Sequence, residues 1–364
     1  MALARVEPLG NPTGSHGPAQ RARRLLEEAR DEVAELLGRS PGEIVFTSGG
    51  TESANLAVFG TLAAAVPGGG GSVVCSMVEH PAVWESCQSA ATSMPVQVRA
   101  LPVDPNGRVD LGALAELLDD QTLLVAVMLA NNETGVIEPL AGVVNVVRER
   151  STSTRIFTDA VQASSFLSLA EATSGVDLVG LNAHKIGGPV GVGVLVVGSD
   201  VALTPHQHGG GQERERRSGT QDVVGAVGFA AALRLAQTEW ASAATRVGAL
   251  REQLADGLLS LVSGSHRTVP TDVSTLPGHL HLCFSGIERE ELLVALGELG
   301  ICASGGSSCA SGALEPSRVL SAMGVPAELA QGAIRFTLGH GTTPADIERA
   351  LAIVPGVVAG LRHE

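Results

Sequence analysis

A lysine, an aspartate, a histidine and a glycine pair each follow an apolar stretch of this 364-residue chain, and together they could do carbonyl chemistry. Lys185 closes the segment 176–185, "VDLVGLNAHK", whose apolar run reads as a buried strand. A cation at such a place needs a salt partner, a path to solvent, or a lowered pKa and a covalent role. In the last case its amine can form an imine with an aldehyde, and His184 beside it can hold an anion such as a phosphate. Asp159 ends the strand-like "RIFTD"; it either accepts from backbone amides in a turn or keeps a ring nitrogen protonated. Gln162, one helical turn on, would reach a ring oxygen. His80 before Pro81 is either a helix-start residue or a flat group that stacks on a ring. Gly49-Gly50-Thr51 lies between a strand and a helix, as a plain N-cap turn or as a phosphate cradle. Asn131-Asn132 marks a fifth polar strand end.

Other residues carry separate chemistry. Cys309 sits in "SGGSSCASGALEPSRVL", a Ser/Gly/Ala run unable to pack a core, so it is expected on an exposed loop as a nucleophile. Cys75, Cys87, Cys283 and Cys302 are expected as small buried hydrophobes. Arg335, alone in the apolar strand "AIRFTLG", needs either a carboxylate ligand or a buried salt bridge. His206 and His208 have metal-like spacing but lack an evident third ligand, so no metal site is assigned.

The elements that must position these residues alternate strand with helix up to about residue 200, which implies crossover connections and a mostly parallel sheet covered on both faces. Ligands of such sheets gather at the carboxyl ends of the strands, where five polar or glycine positions recur here. Ser15 is the expected cap of a first helix with Pro18 in its first turn. From 223 to about 262 one long helix follows, and the remainder mixes strands and helices. The expected organisation is a large α/β domain over 1–240 and a smaller α+β domain over 241–364. The net charge of −14 argues against nucleic acid and anionic membrane surfaces as partners. No apolar run reaches a membrane span. Five cysteines without a C-x-x-C pair fit a reducing cytoplasm better than a disulfide framework.

Pyridoxal phosphate would use this set: a lysine for the imine, a carboxylate at the ring nitrogen, a stacking group, and glycine amides for the phosphate. With "GNPTGSH", "EIVFTSGGTESANLAV", "VEHPAV", "NNETGV", "TDAVQA", "AHKIGGPVGVG", "HGGGQERERRSGT" and "IRFTLG" in order, nearly the whole chain resembles the cysteine desulfurases of iron–sulfur cluster assembly, which are fold-type I pyridoxal-phosphate enzymes. The resemblance implies that Lys185 binds the cofactor covalently, Asp159 pairs with its ring nitrogen and His80 stacks on the ring. It places Gln162 and Asn132 by the ring oxygen and the substrate. Gly50, Thr51, Asn182 and His184 would be at the phosphate, with Thr220 reaching in from the second subunit of a homodimer. Arg335 would bind the carboxylate of L-cysteine, and Cys309 would take its sulfur as a persulfide for an acceptor protein, leaving alanine. Asn182 stands where relatives have a serine, and an amide can donate the same bond. Relatives also open with a strand and an Ala-Thr-Thr-Pro turn, whereas this chain reaches "GNP" within ten residues. The alternatives are accordingly a weak or partner-dependent sulfur-trafficking homologue, or a lyase for selenocysteine or another amino acid.

Overall fold

A computed structural model describes residues 8–65, 70–306 and 317–362. By backbone proximity the chain divides into two compact units. The first comprises Met1–Leu101, Leu111–Leu129 and Pro139–Trp240; the second comprises Pro102–Asp110, Ala130–Glu138 and Ala241–Glu364.

The first unit is built on a seven-stranded sheet. Its strands are β1 (Ile44–Thr47), β2 (Gly71–Ser76), β3 (Val96–Leu101), β4 (Thr122–Ala126), β5 (Arg155–Asp159), β6 (Leu178–Asn182) and β7 (Gly193–Val197). They lie in the order β1-β7-β6-β5-β4-β2-β3. All pairings from β6 to β3 are parallel, while β7 runs antiparallel to both neighbours. The Gly-rich segment after Lys185 makes that reversal possible: Gly187 and Gly191 take φ 75° and 84°, which side chains with a Cβ rarely adopt. Strands β1, β6 and β7 are buried along their whole length, as strands covered on both faces should be. The helix Gly50–Ala65 buries Ala54, Leu56, Ala57, Val58 and Leu62 against this sheet. Its small side chains allow close approach, and its first turn is fixed by the Thr47 and Ser53 hydroxyls, 2.8 Å apart.

Two expectations about this unit are corrected. The first helix, Gly17–Leu36, is capped by His16 and not by Ser15: the His16 Nδ1 accepts from the Ala19 N–H at 3.3 Å. The strand β4 ends at Ala126, so Asn131 and Asn132 do not stand at a strand end. They belong to a turn of the second unit, in which the Asn131 Oδ1 accepts from the Glu133 and Thr134 N–H groups at 2.9 Å each.

The second unit carries an antiparallel sheet of β8 (Ser265–Arg267), β9 (His279–Phe284) and β10 (Ala333–Thr337), with β9 central. The helices Arg289–Glu298 and Pro344–Leu361 belong to the same unit, the latter capped reciprocally by Thr343 and Asp346. The helix Val223–Leu261 runs from the first unit into the second. No helix among the described residues is long and apolar enough to cross a membrane.

Within the second unit Glu138 is 3% exposed, with one carboxylate oxygen accepting from the Val109 N–H at 2.9 Å and the other without a partner among the described residues. Burial pushes its pKa from 4.5 up to about 8. The folded state therefore binds this proton more tightly than the unfolded chain does. The associated stability is complete below pH 4.5 and is lost as pH rises through about 8, on the order of a few kcal/mol in all. Denaturation midpoints measured from pH 5 to 8.5 are expected to fall for the wild type and to flatten in Glu138→Gln.

Candidate active site

Lys185 does not end a strand. It lies on the 3-10 turn Ala183–Ile186, just past β6, and is exposed, as is His184. The path to solvent, and not a salt partner, is how this cation avoids burial. Asn182 holds the turn by accepting from the His184 N–H at 3.4 Å, and Gly187 ends it in a left-handed conformation. Desolvation and the Lys185 charge beside it lower the His184 pKa from the ordinary histidine value.

Asp159 ends β5, two strands from β7 in the sheet, and one of its oxygens accepts from the Val161 N–H at 2.9 Å. The turn-carboxylate role is thus real, but it occupies one oxygen. Burial among protein atoms pushes Asp159 above the usual carboxylate range, while the Val161 N–H, His80 and Lys185 pull it down. The electrostatic influence of both His80 and Lys185 on one carboxylate places the three residues in one neighbourhood. A group bringing a further cationic N–H to Asp159 would offset the remaining desolvation.

His80 is the N-cap of the helix Pro81–Ser93: its Nδ1 accepts from the Ala82 N–H at 3.1 Å. The helix-start reading and the stacking reading are therefore compatible, because the cap bond fixes the ring plane. Gln162 sits half-buried at the start of the 3-10 turn Ala163–Ser165, directly after the Asp159 turn.

Gly50 and Thr51 open the helix Gly50–Ala65, whose first N–H groups lack helical acceptors. A Cβ on Gly50 would stand 3.0 Å from Val161 Cγ2, and one on Gly49 would stand 3.4 Å from the Asn182 amide nitrogen. On Gly193, at the start of β7, a Cβ would meet the Gly49 Cα at 2.7 Å. The glycine turn is thus close to both the Asp159 turn and Asn182 beside the Lys185 turn, and the free N–H groups of the helix start suit an anion. The residues present fit a pyridoxal phosphate: Gly50, Thr51, Asn182 and His184 would hold its phosphate, His80 would stack on its ring, Asp159 would pair with the ring nitrogen and Lys185 would supply the amine for its carbonyl carbon.

The loop that carries Thr220 is anchored from below. Glu213 accepts from Arg30 through both oxygens at 2.7 and 2.8 Å, from the Phe46 N–H at 2.9 Å and from Gln221 at 3.3 Å. Arg30 is 2% exposed, lies 5.0 Å from the Phe46 ring centroid and donates to the Ile44 carbonyl at 2.7 Å. Neither residue was singled out from sequence. The available signal was Arg30 on the apolar face of its helix, next to Ala29 and one turn from Leu26 and Val33. Thr220 itself is exposed, and Arg217 pairs with Glu52 at 2.7 Å.

In the second unit, Arg335 on β10 donates to the Asn132 carbonyl, while its Nε is buried without a partner among the described residues. Burial lowers the guanidinium pKa, and Glu133 opposes that shift. No ion pair within 4.0 Å is formed by Arg335 among the described residues, which sets aside the structural salt bridge. Cys75, Cys87 and Cys283 are buried, but Cys302 is exposed, contrary to expectation, because the chain leaves its helix at Leu299 before reaching it. Cys309 lies outside the described residues.

A mostly parallel sheet with a single reversed strand, carrying a lysine turn, an aspartate turn and a glycine-capped helix, defines the fold-type I class of pyridoxal-phosphate enzymes. Residues 7–350 match the model of the aminotransferase class-V family. The chain is 41% identical to an IscS-like cysteine desulfurase of Mycobacterium tuberculosis, covering 100% of this chain and 93% of that protein. It is 39% identical to a cysteine desulfurase of Gluconacetobacter diazotrophicus, over 98% of this chain and 88% of the other. A solved NifS-like protein superposes with a TM-score of 0.92 at 36% identity, covering 99% of this chain and 94% of its own. The chain belongs to the class-V aminotransferase family and, within it, to the cysteine desulfurases.

Proposed function

We propose that this protein is a pyridoxal-phosphate-dependent cysteine desulfurase that converts L-cysteine to L-alanine and passes the sulfur to an acceptor protein. The observation that carries this reading is the convergence of Lys185, Asp159 and His80 beside the glycine-lined start of the helix Gly50–Ala65. When bound, the cofactor supplies an electron sink for negative charge developing on the substrate. Lys185 is the covalent attachment point and the amine that moves protons at the substrate carbon. Asp159 keeps the ring nitrogen protonated, and His80, locked by its bond to Ala82, stacks on the ring. Arg335 and Asn132 bind the amino-acid carboxylate. The Cys309 thiolate attacks the substrate sulfur. An S–S bond forms, the C–S bond breaks, and the substrate Cβ takes that electron pair and a proton to become the methyl group of alanine. The persulfide left on Cys309 is the product handed onward. We assign the protein to the cytoplasm, as a homodimer in which Thr220 of each subunit serves the phosphate of the other.

Alanine formation from L-cysteine with a thiol reductant tests the reading. Turnover is expected in the wild type, with a fall of about 100-fold or more in Cys309→Ser, because a hydroxyl cannot accept the sulfur as a stable persulfide. A yellow wild type that makes no alanine would sink the desulfurase reading and leave a cofactor-binding, sulfur-trafficking homologue.

A further inference from the structure

The small sheet of the second unit presents two buried N–H donors side by side. Register places His281 of β9 directly opposite Arg335 of β10, so both side chains leave the same face of the sheet. His281 is 3% exposed. Its Nδ1 lies 2.7 Å from the Thr268 hydroxyl, and that hydroxyl lies 3.4 Å from the Cys283 sulfur. The His281 Nε2 and the Arg335 Nε are both buried without a hydrogen-bond partner among the described residues.

The chain of bonds allows two proton arrangements. Burial raises the pKa of the Cys283 thiol, which therefore keeps its proton. With the S–H donating to the Thr268 oxygen, the Thr268 O–H donates to the His281 Nδ1 and the ring proton is on Nε2; the reverse run of donors would put it on Nδ1. Burial, with the Arg335 charge beside it, holds the His281 pKa down at about 4, so the ring is neutral at pH 7. A neutral Nε2–H next to an unpaired guanidinium Nε–H is a pair of donors waiting for an acceptor, and unmet buried donors are costly. A carboxylate supplies two acceptor oxygens and the charge that Arg335 lacks.

We infer that His281 is a second carboxylate-binding residue, whose Nε2–H donates to one oxygen of the amino-acid substrate while Arg335 holds the other. With the proton on Nε2 and the Thr268–Cys283 chain behind the ring, His281 acts as a neutral directional donor and not as a second cation. This selects a planar monoanion over a phosphate or a dianion, which would call for more positive charge. The inference rests on the proposal that the site takes an amino acid, but not on cysteine being that amino acid.

The test titrates L-alanine and its uncharged analogue L-alaninamide into cofactor-loaded protein, reading the cofactor absorbance, for the wild type, His281→Leu and His281→Gln. The wild type is expected to prefer the carboxylate. His281→Leu should weaken L-alanine binding about ten-fold or more, with L-alaninamide unchanged. His281→Gln, whose amide can bring an N–H near the Nε2 position, should recover most of the loss. The KM for the amino-acid substrate should rise in parallel, with kcat little changed. Equal loss for both ligands in His281→Leu, or undiminished carboxylate preference in that variant, overturns the inference. A wild type blind to the carboxylate overturns the subsite altogether. Failure of the desulfurase reading shows separately, as a wild type that prefers carboxylates yet makes no alanine from cysteine.

Discussion

Lys185→Ala is expected to lose alanine formation from L-cysteine by about 1000-fold or more, because one amine serves both as covalent anchor and as proton carrier. The variant should nonetheless fold normally. Lys185 is exposed on its turn, and the turn is held by the Asn182 side chain and the left-handed Gly187, neither of which needs the lysine. Surface substitutions away from caps and buried partners usually shift stability by less than about 0.5 kcal/mol. Three measurements separate the possibilities: turnover, the denaturation midpoint, and mass after borohydride treatment. The wild type should gain the reduced cofactor covalently and the variant should not, with midpoints unchanged. Residual turnover above about one hundredth of wild type would mean that another group carries the protons.

Glu213→Ala is expected to lower folding stability by about 3–5 kcal/mol, the range for leaving one charge of a buried pair uncompensated. Arg30 would keep the Ile44 carbonyl and its bond to the half-exposed Glu27 but lose both bonds to Glu213, and the Phe46 N–H would lose its acceptor. A second consequence is local. Glu213, Arg214 and Glu215 have φ of 48°, 56° and 65°, three successive non-glycine residues in left-handed space. Such a conformation costs about 1–2 kcal/mol per residue and persists only where surrounding bonds hold it. With the anchor gone, the segment should relax toward ordinary turns, and Thr220 with it. A urea titration gives the first effect; faster proteolysis after Arg214 under native conditions gives the second. Replacing Arg30 and Glu213 together by Met and Leu should recover part of the loss, because the desolvation of two charges goes with them. Stability within 1 kcal/mol of wild type in the single variant would show the pair to be dispensable.

The strand ends were legible because an apolar run followed by a polar residue is a local pattern. Asp159 and the Gly49–Thr51 turn stand where that pattern put them. The same pattern misplaced Asn132: the apolar residues run on from Val127 to Ala130, past the end of β4, while Val127 and Leu129 still donate to Phe157 and Asp159, so hydrophobicity alone cannot mark where the strand ends. The place of Lys185 past the strand end was hidden for a related reason, since a one-turn 3-10 helix leaves no periodic trace, and its exposure is the path to solvent that was one of the three ways out. His281 was invisible as a site residue. Its significance depends on Arg335 being opposite it across a strand pair, and on Thr268 behind it, which no local window holds. Arg30 and Glu213 fail similarly: each reads as solvated charge until the fold joins them.

The threading of the second unit bears on synthesis. Its earliest pieces, Pro102–Asp110 and Ala130–Glu138, are made well before Ala241 and lie on either side of β4 in the sequence. As the chain emerges amino end first, these loops precede their partners: Ala130–Glu138 bonds to Ser274, Leu276 and Arg335, and Gly107 lies against Met323, all still unmade. Glu138, the Asn131 turn and the backbone oxygen of Asn132 that receives Arg335 all belong to this waiting material. Folding of the second unit is therefore the closing event of biosynthesis. A ribosome-released fragment ending near Trp240 should expose Ala130–Glu138, nearly all of it buried in the finished protein, as a protease-sensitive site.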